Sequence, residues 1–136
     1  MPQRSRDSAR AVLWTLFAIA LVVHLLGLYL PGGTGGPAFF EGEDKLGHMA
    51  IFAVVVAPAL LLGFPARLVC VLAAAHAALS ELIQHTLIPR RSGELLDFVA
   101  DCVGVLVGVL IARWVRLASG RFIAGEDPPG SARFRR

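Results

Sequence analysis

Four apolar stretches alternate with shorter polar links along the chain: about Ala11 to Leu30, Leu46 to Phe64, Arg67 to Ile88, and Leu95 to Val115. Each is about 20 residues long, the length an α-helix needs to cross a hydrocarbon core about 30 Å thick. Backbone groups find no water in that core, so a crossing segment must satisfy them internally, as a helix does. The pattern predicts an all-α fold, a polytopic membrane protein built as a bundle of four transmembrane helices. Pro58 lies inside the second stretch and predicts a kink there. The boundaries divide the chain into an N-terminal segment 1–10, a transmembrane domain 11–116 and a tail 117–136. The tail carries a "DPPG" breaker and is expected to be mobile.

Composition agrees with the pattern. The chain has 136 residues, 56% of them hydrophobic and 17% charged, where soluble domains are about a quarter charged. Mean hydropathy is +0.67. There is room for one small domain. Net charge is +3, but the basic residues gather at the two ends. In a membrane protein that arrangement signals topology, and no nucleic-acid partner is expected. With four spans, Arg4, Arg6, Arg10, Arg67, Arg121, Arg133, Arg135 and Arg136 share one side, while Lys45, Arg90 and Arg91 share the other. The richer side is expected to be cytoplasmic, with both termini on it and the link from Pro31 to Lys45 outside. Trp14 and Trp114 would mark the inner interface and Tyr29 the outer one. Phe39 and Phe40 suggest that the first link dips back towards lipid.

The first stretch exceeds the 7–15 residues of a usual signal-peptide core. No A-x-A site follows it, so a retained helix is expected. Cys70 and Cys102 fall at different depths of successive antiparallel helices. They read as small apolar residues, not as a disulfide.

The polar residues are unevenly placed. Helix two begins, helix three ends and helix four begins at one membrane face. Alternation alone therefore brings Asp44, Lys45 and His48 together with Glu81, Gln84 and His85, and with Arg90, Arg91, Glu94, Asp97 and Asp101. Asp44 and His48 are spaced i, i+4; Glu81, Gln84 and His85 form one stripe. Asp97, Asp101, Gly104 and Gly108 lie within about 40° of one another on a helix turning about 100° per residue. The G-x-x-x-G of that stripe invites close approach by another helix, so the same face carries both aspartates inward. Buried carboxylates need partners. Glu41, Glu43 and Arg90 read as interfacial anchors. Glu81 and Asp101 sit about one to two turns inside the apolar boundary, where an ionisable group is a functional candidate. His24 and His76 read as packing histidines, His76 bonded to a backbone or Ser group.

These residues resemble the VanZ-like family of bacterial membrane proteins. The family pattern is D-K-x-x-H opening one helix and E-x-x-Q closing the next. An Arg follows, then an Asp six residues on, an Asn four beyond it, and a G-x-x-x-G. Here the pieces read "DKLGH" (Asp44, Lys45, His48), "ELIQ" (Glu81, Gln84), "RSGELLD" (Arg91, Asp97) and "GVLVG" (Gly104, Gly108). Asp101 stands where the family has Asn, which sets two carboxylates one turn apart and puts in question any role for a neutral amide there. The resemblance spans about half the chain. It implies a small multi-pass protein of the bacterial plasma membrane, in a family whose founding member is linked to low-level teicoplanin resistance.

Three functions compete. In the first, Asp44, Lys45, His48, Glu81, Gln84, Arg91, Asp97 and Asp101 form a pocket near the outer surface. It binds a polar or anionic group of a membrane lipid or lipid-linked cell-wall precursor. Arg91, Lys45 and His48 are the donors, and Arg suits bidentate recognition of phosphate. In the second, an enzyme at the membrane surface uses His48 and Glu81 as acid and base. Alternatively it holds a hard cation through Asp44, Glu81, Asp97 and Asp101. The chain carries no nucleophile-elbow or H-E-x-x-H motif, no cofactor is called for and no metal site is assigned. In the third, the cluster only locks helices together. A closed, mutually satisfied network would mark the third function, and an open pocket either of the others.

Overall fold

The computed structural model describes residues 3–31, 40, 42–88 and 94–124. The described residues are all-helical: α1 (Gln3–Tyr29), α2 (Glu43–Leu61), α3 (Ala66–Leu87) and α4 (Leu95–Ala124). All four are long and apolar enough to cross a membrane, over Asp7–Tyr29, Glu43–Leu61, Ala66–Leu87 and Leu95–Ser119. Two helices outrun the expected boundaries. α1 begins at Gln3, and α4 continues past Val115 to Ala124. No proline interrupts either extension, and polar residues beyond a lipid-length core propagate a helix as readily as apolar ones. Residues 125–136, most of the Pro31 to Lys45 link with Phe39 and Glu41, and Arg90 and Arg91 lie outside the described residues.

α2 is the centre of the bundle. It packs most extensively on α4, and also on α1 and α3. Phe52, Val56 and Leu60 from α2 join Leu28, Ala77, Val105 and Ala112 in the core. The outer faces of α1, α3 and α4 expose Ile19, Val22, Val71, Leu72, Leu106 and Leu110, an apolar surface that suits lipid.

The turn between α2 and α3 follows from "LLGFP". Gly63 adopts φ 98°, a left-handed conformation that costs glycine little. The Gly63 N–H then donates to Leu60 O at 2.9 Å and the Phe64 N–H to Ala59 O at 3.2 Å, the Schellman pattern that closes a helix. Pro65 follows as N-cap and α3 starts at Ala66. Pro58 sits within α2 without ending it.

The α2–α4 seam fixes the position of the polar residues. A Cβ on Gly104 would overlap the backbone oxygen of Met49 and lie 2.9 Å from Phe52 Cβ. A Cβ on Gly108 would come within 2.8 Å of Val56 Cβ. The helices run parallel and touch backbone to backbone along the G-x-x-x-G face, as its spacing predicts. At the far end the Arg116 guanidinium donates to Leu60 O, a carbonyl that the closing turn of α2 leaves outside its helical ladder.

Candidate functional site

The parallel seam continues beyond the glycines as a ladder of polar pairs. Lys45 of α2 faces Asp97 of α4, and one turn deeper His48 faces Asp101. The spacing matches because both helices advance four or three residues per turn along facing stripes.

Lys45 forms the outer layer. Its Nζ lies 2.9 Å from Asp44 Oδ2, 3.1 Å from Asp97 Oδ1 and 3.5 Å from Glu94 Oε2. Asp44 is on the exposed rim; Asp97 is buried beneath it. One ammonium has three donors, and three carboxylates take them all.

His48, Asp101 and Glu81 form the inner layer. His48 Nδ1 lies 2.9 Å from Asp101 Oδ1 and 3.8 Å from Glu81 Oε1. Asp101 is fully buried, at 0% exposure, and the Glu81 side chain is 11% exposed. Glu81 reaches the layer from the last part of α3. Its Oε2 accepts the Glu94 backbone N–H at 2.9 Å, one of the amide donors that a helix start leaves without an intrahelical partner. Two oxygens are then left over. Glu81 Oε1 and Asp101 Oδ2 are buried side-chain atoms with no hydrogen-bond partner among the described residues. A buried acceptor left unpaired costs about 1–3 kcal/mol, and more when it is charged. An open recess of about 280 Å³ between α3 and α4, lined by Ala78, Glu81, Glu94, Leu95 and Phe98, reaches Glu81.

A second polar group lies deeper, where α1, α2 and α3 meet. His24 Nδ1 is 3.2 Å from Ile51 O, His24 Nε2 is 3.1 Å from His76 Nδ1, and His76 Nε2 is 3.0 Å from Tyr29 Oη. One end fixes every direction. The Ile51 carbonyl can only accept, so His24 Nδ1 donates. In neutral rings His24 Nε2 then accepts from His76 Nδ1–H, and His76 Nε2 accepts from the Tyr29 hydroxyl. Every ring nitrogen has a partner of the right kind. The chain borders an apolar cavity of about 430 Å³ among α1, α2 and α3, to whose lining His24 and His76 contribute the ionisable groups.

Of the expected site residues, the structure brings Lys45, His48, Glu81, Asp97 and Asp101 together, with Asp44 joined only through Lys45. Gln84 is placed differently. Its buried amide donates to Leu28 O at 3.1 Å and so caps the end of α1. His85 is exposed. Arg91 lies outside the described residues, and with it the expected carboxylate–Arg pair. Tyr29 turns into the bundle to His76, where an interfacial position was expected. His76 bonds side chains, where a backbone or Ser partner was expected. Glu94 belongs to the site and was read only as a member of the polar stretch; its place three residues before Asp97 was the available signal. Cys70 and Cys102 are free thiols, as expected.

Comparison with protein-family models, curated proteins and solved structures gives no match for this chain. What the described residues define by themselves is a class: four helices, each of membrane-crossing length and apolarity.

Proposed function

We propose that this chain is a VanZ-like multi-pass protein of the bacterial plasma membrane. Its polar end, on the outer side, binds the polar group of an envelope lipid or lipid-linked cell-wall precursor, and through it influences teicoplanin susceptibility. One observation carries the reading: the inner layer holds two buried oxygens without partners among the described residues, and one of its members, Glu81, lines an open recess. Glu81 Oε1 and Asp101 Oδ2 are acceptors without partners among the described residues, so the ligand they favour brings N–H or O–H donors, such as sugar hydroxyls or an amine. Asp44, Glu94 and Asp97 face Lys45, and Glu81 and Asp101 face His48. An anionic portion of the ligand would draw on Arg91, the donor the sequence offers beside Lys45 and His48. The recess opens on the side of α3 and α4, which suits entry of an amphiphile from the bilayer.

A second reading, acid/base chemistry at the membrane surface, draws on the 2.9 Å His48–Asp101 contact. An Asp carboxylate that accepts from one imidazole nitrogen fixes the tautomer of the ring and can stabilise its charged form.

The test is native mass spectrometry of the protein released from membranes, with Glu81→Gln beside wild type. A retained lipid or precursor lost from a Glu81→Gln protein of normal thermal stability is the expected result. Equal retention in both, or no bound amphiphile in either, would remove this function. Expression in a teicoplanin-sensitive host is expected to raise the inhibitory concentration for wild type and not for Glu81→Gln.

A further inference from the structure

The geometry points to a divalent transition-metal site formed by His48, Glu81 and Asp101, independent of whether the recess binds a lipid. The three side chains come from three different helices. Their ligand atoms lie within 4.8 Å of one another. Donors about 2.0–2.2 Å from a tetrahedral ion sit about 3.4 Å apart. The His48 Nδ1 to Asp101 Oδ1 distance of 2.9 Å and the His48 Nδ1 to Glu81 Oε1 distance of 3.8 Å bracket that value. Those two pairs need shifts of about half an ångström to reach it, and the third pair lies within 4.8 Å.

Acidic residues often gather without an ion, so the distances alone are weak. The stronger observation is the pair of orphaned oxygens. Asp101 is wholly buried, and its Oδ2 has no hydrogen-bond partner among the described residues. Glu81 Oε1, the oxygen facing His48, has none either. A cation beside His48 gives Glu81 Oε1 a partner and binds a carboxylate, Asp101, that is short of one. Charge makes the same point: two carboxylates, one neutral imidazole and a divalent ion sum to zero. A neutral assembly is the form an apolar bundle tolerates best.

The donor set narrows the ion. An imidazole favours Zn²⁺ over Mg²⁺ or Ca²⁺, and two carboxylates also accommodate Mn²⁺. The surroundings resemble an outer coordination shell. The Glu94 N–H holds the second oxygen of Glu81, which orients the first. Three protein ligands leave a coordination position open, and the recess beside Glu81 would give it access to solvent or a polar group. Lys45, Asp44 and Asp97 satisfy one another one turn outwards and are not ligands.

The test uses the full chain purified in detergent, stripped with a chelator and titrated separately with Zn²⁺, Mn²⁺ and Co²⁺. Calorimetry follows binding, and the visible bands of Co²⁺ report the ligand field. One ion per chain is expected. Affinity should fall at least tenfold in Glu81→Gln and in Asp101→Asn, and stay unchanged in His85→Ala, which removes an exposed histidine of the same helix. Affinity should also rise with pH between about 5 and 8, because the ion competes with protons for His48 and the carboxylates. Circular dichroism on each variant checks folding, and if Asp101→Asn does not fold, Glu81→Gln decides. No stoichiometric binding of any of the three ions would overturn the site. So would binding that survives Glu81→Gln unchanged, or that is lost in His85→Ala.

Discussion

The bundle holds two histidine-centred polar groups, and they are built in opposite ways. In the deep one, Tyr29, His76 and His24 pass hydrogen bonds in one direction to the Ile51 carbonyl, and nothing is left over. In the other, His48, Asp101 and Glu81 share too few donors, and two buried oxygens stay unpaired. Polar atoms in an apolar interior are costly to leave unmatched. The first arrangement therefore reads as a lock that holds α1, α2 and α3 in register. The second reads as a site, because its deficit is one that a ligand or ion can fill. Both groups centre on a buried histidine, and hydrogen-bond satisfaction is what tells the lock from the site.

The largest expected effect comes from breaking the seam beneath the open group and leaving the closed one intact. Gly104→Leu would force α2 away from α4, since even a Cβ overlaps Met49. Overpacking costs about 1–3 kcal/mol and sometimes more, and here the obstacle is backbone, so the upper end is expected. Thermal unfolding in detergent should show the loss, and any bound ligand or metal should go with it. Retained stability would mean that the helices are not packed backbone to backbone.

Next comes His76→Ala. It removes the middle of the closed chain and leaves the Tyr29 hydroxyl and His24 Nε2 without partners. A cost of about 1–3 kcal/mol is expected, with ligand retention unchanged once the protein is folded. Tyr29→Phe removes only the terminal donor and should cost about 1 kcal/mol by the same measurement. A Tyr29→Phe protein less stable than His76→Ala would contradict the assigned bond directions.

The four helices and the open group were legible in the sequence; the closed group was not. Run length and polar punctuation located the four helices. The stripe of Asp97, Asp101, Gly104 and Gly108 identified the face of α4 that meets α2, because aspartates and small residues at helical spacing constrain the same surface. Other features were not legible, for physical reasons. Gln84 bonds a backbone carbonyl, Leu28 O, and a carbonyl has no signature in sequence. His24 and His76 each look like an isolated packing residue; only the relative rotation of α1 and α3 shows that they touch. The sequence reading offered a cation the four carboxylates Asp44, Glu81, Asp97 and Asp101. The structure gives Lys45 to Asp44 and Asp97 and sets His48 beside the remaining pair. Rotation of a helix by half a turn decides such pairings, and composition does not encode it. Helix ends were missed where polar residues continue α4 beyond the lipid-length core.

The smallest expected stability effect belongs to Glu81→Gln, and it is also the most informative variant. It removes one buried negative charge, keeps the shape, and leaves an oxygen to accept the Glu94 N–H. Its thermal stability should stay within about 1 kcal/mol of wild type. The measurement that bears most directly on the contrast sets ligand and metal content per chain against unfolding temperature, for wild type, Glu81→Gln and His76→Ala. The account predicts that Glu81→Gln loses content at near-normal stability, while His76→Ala keeps content at reduced stability. Content that simply follows stability across all three proteins would mean that both groups are locks, and would contradict it.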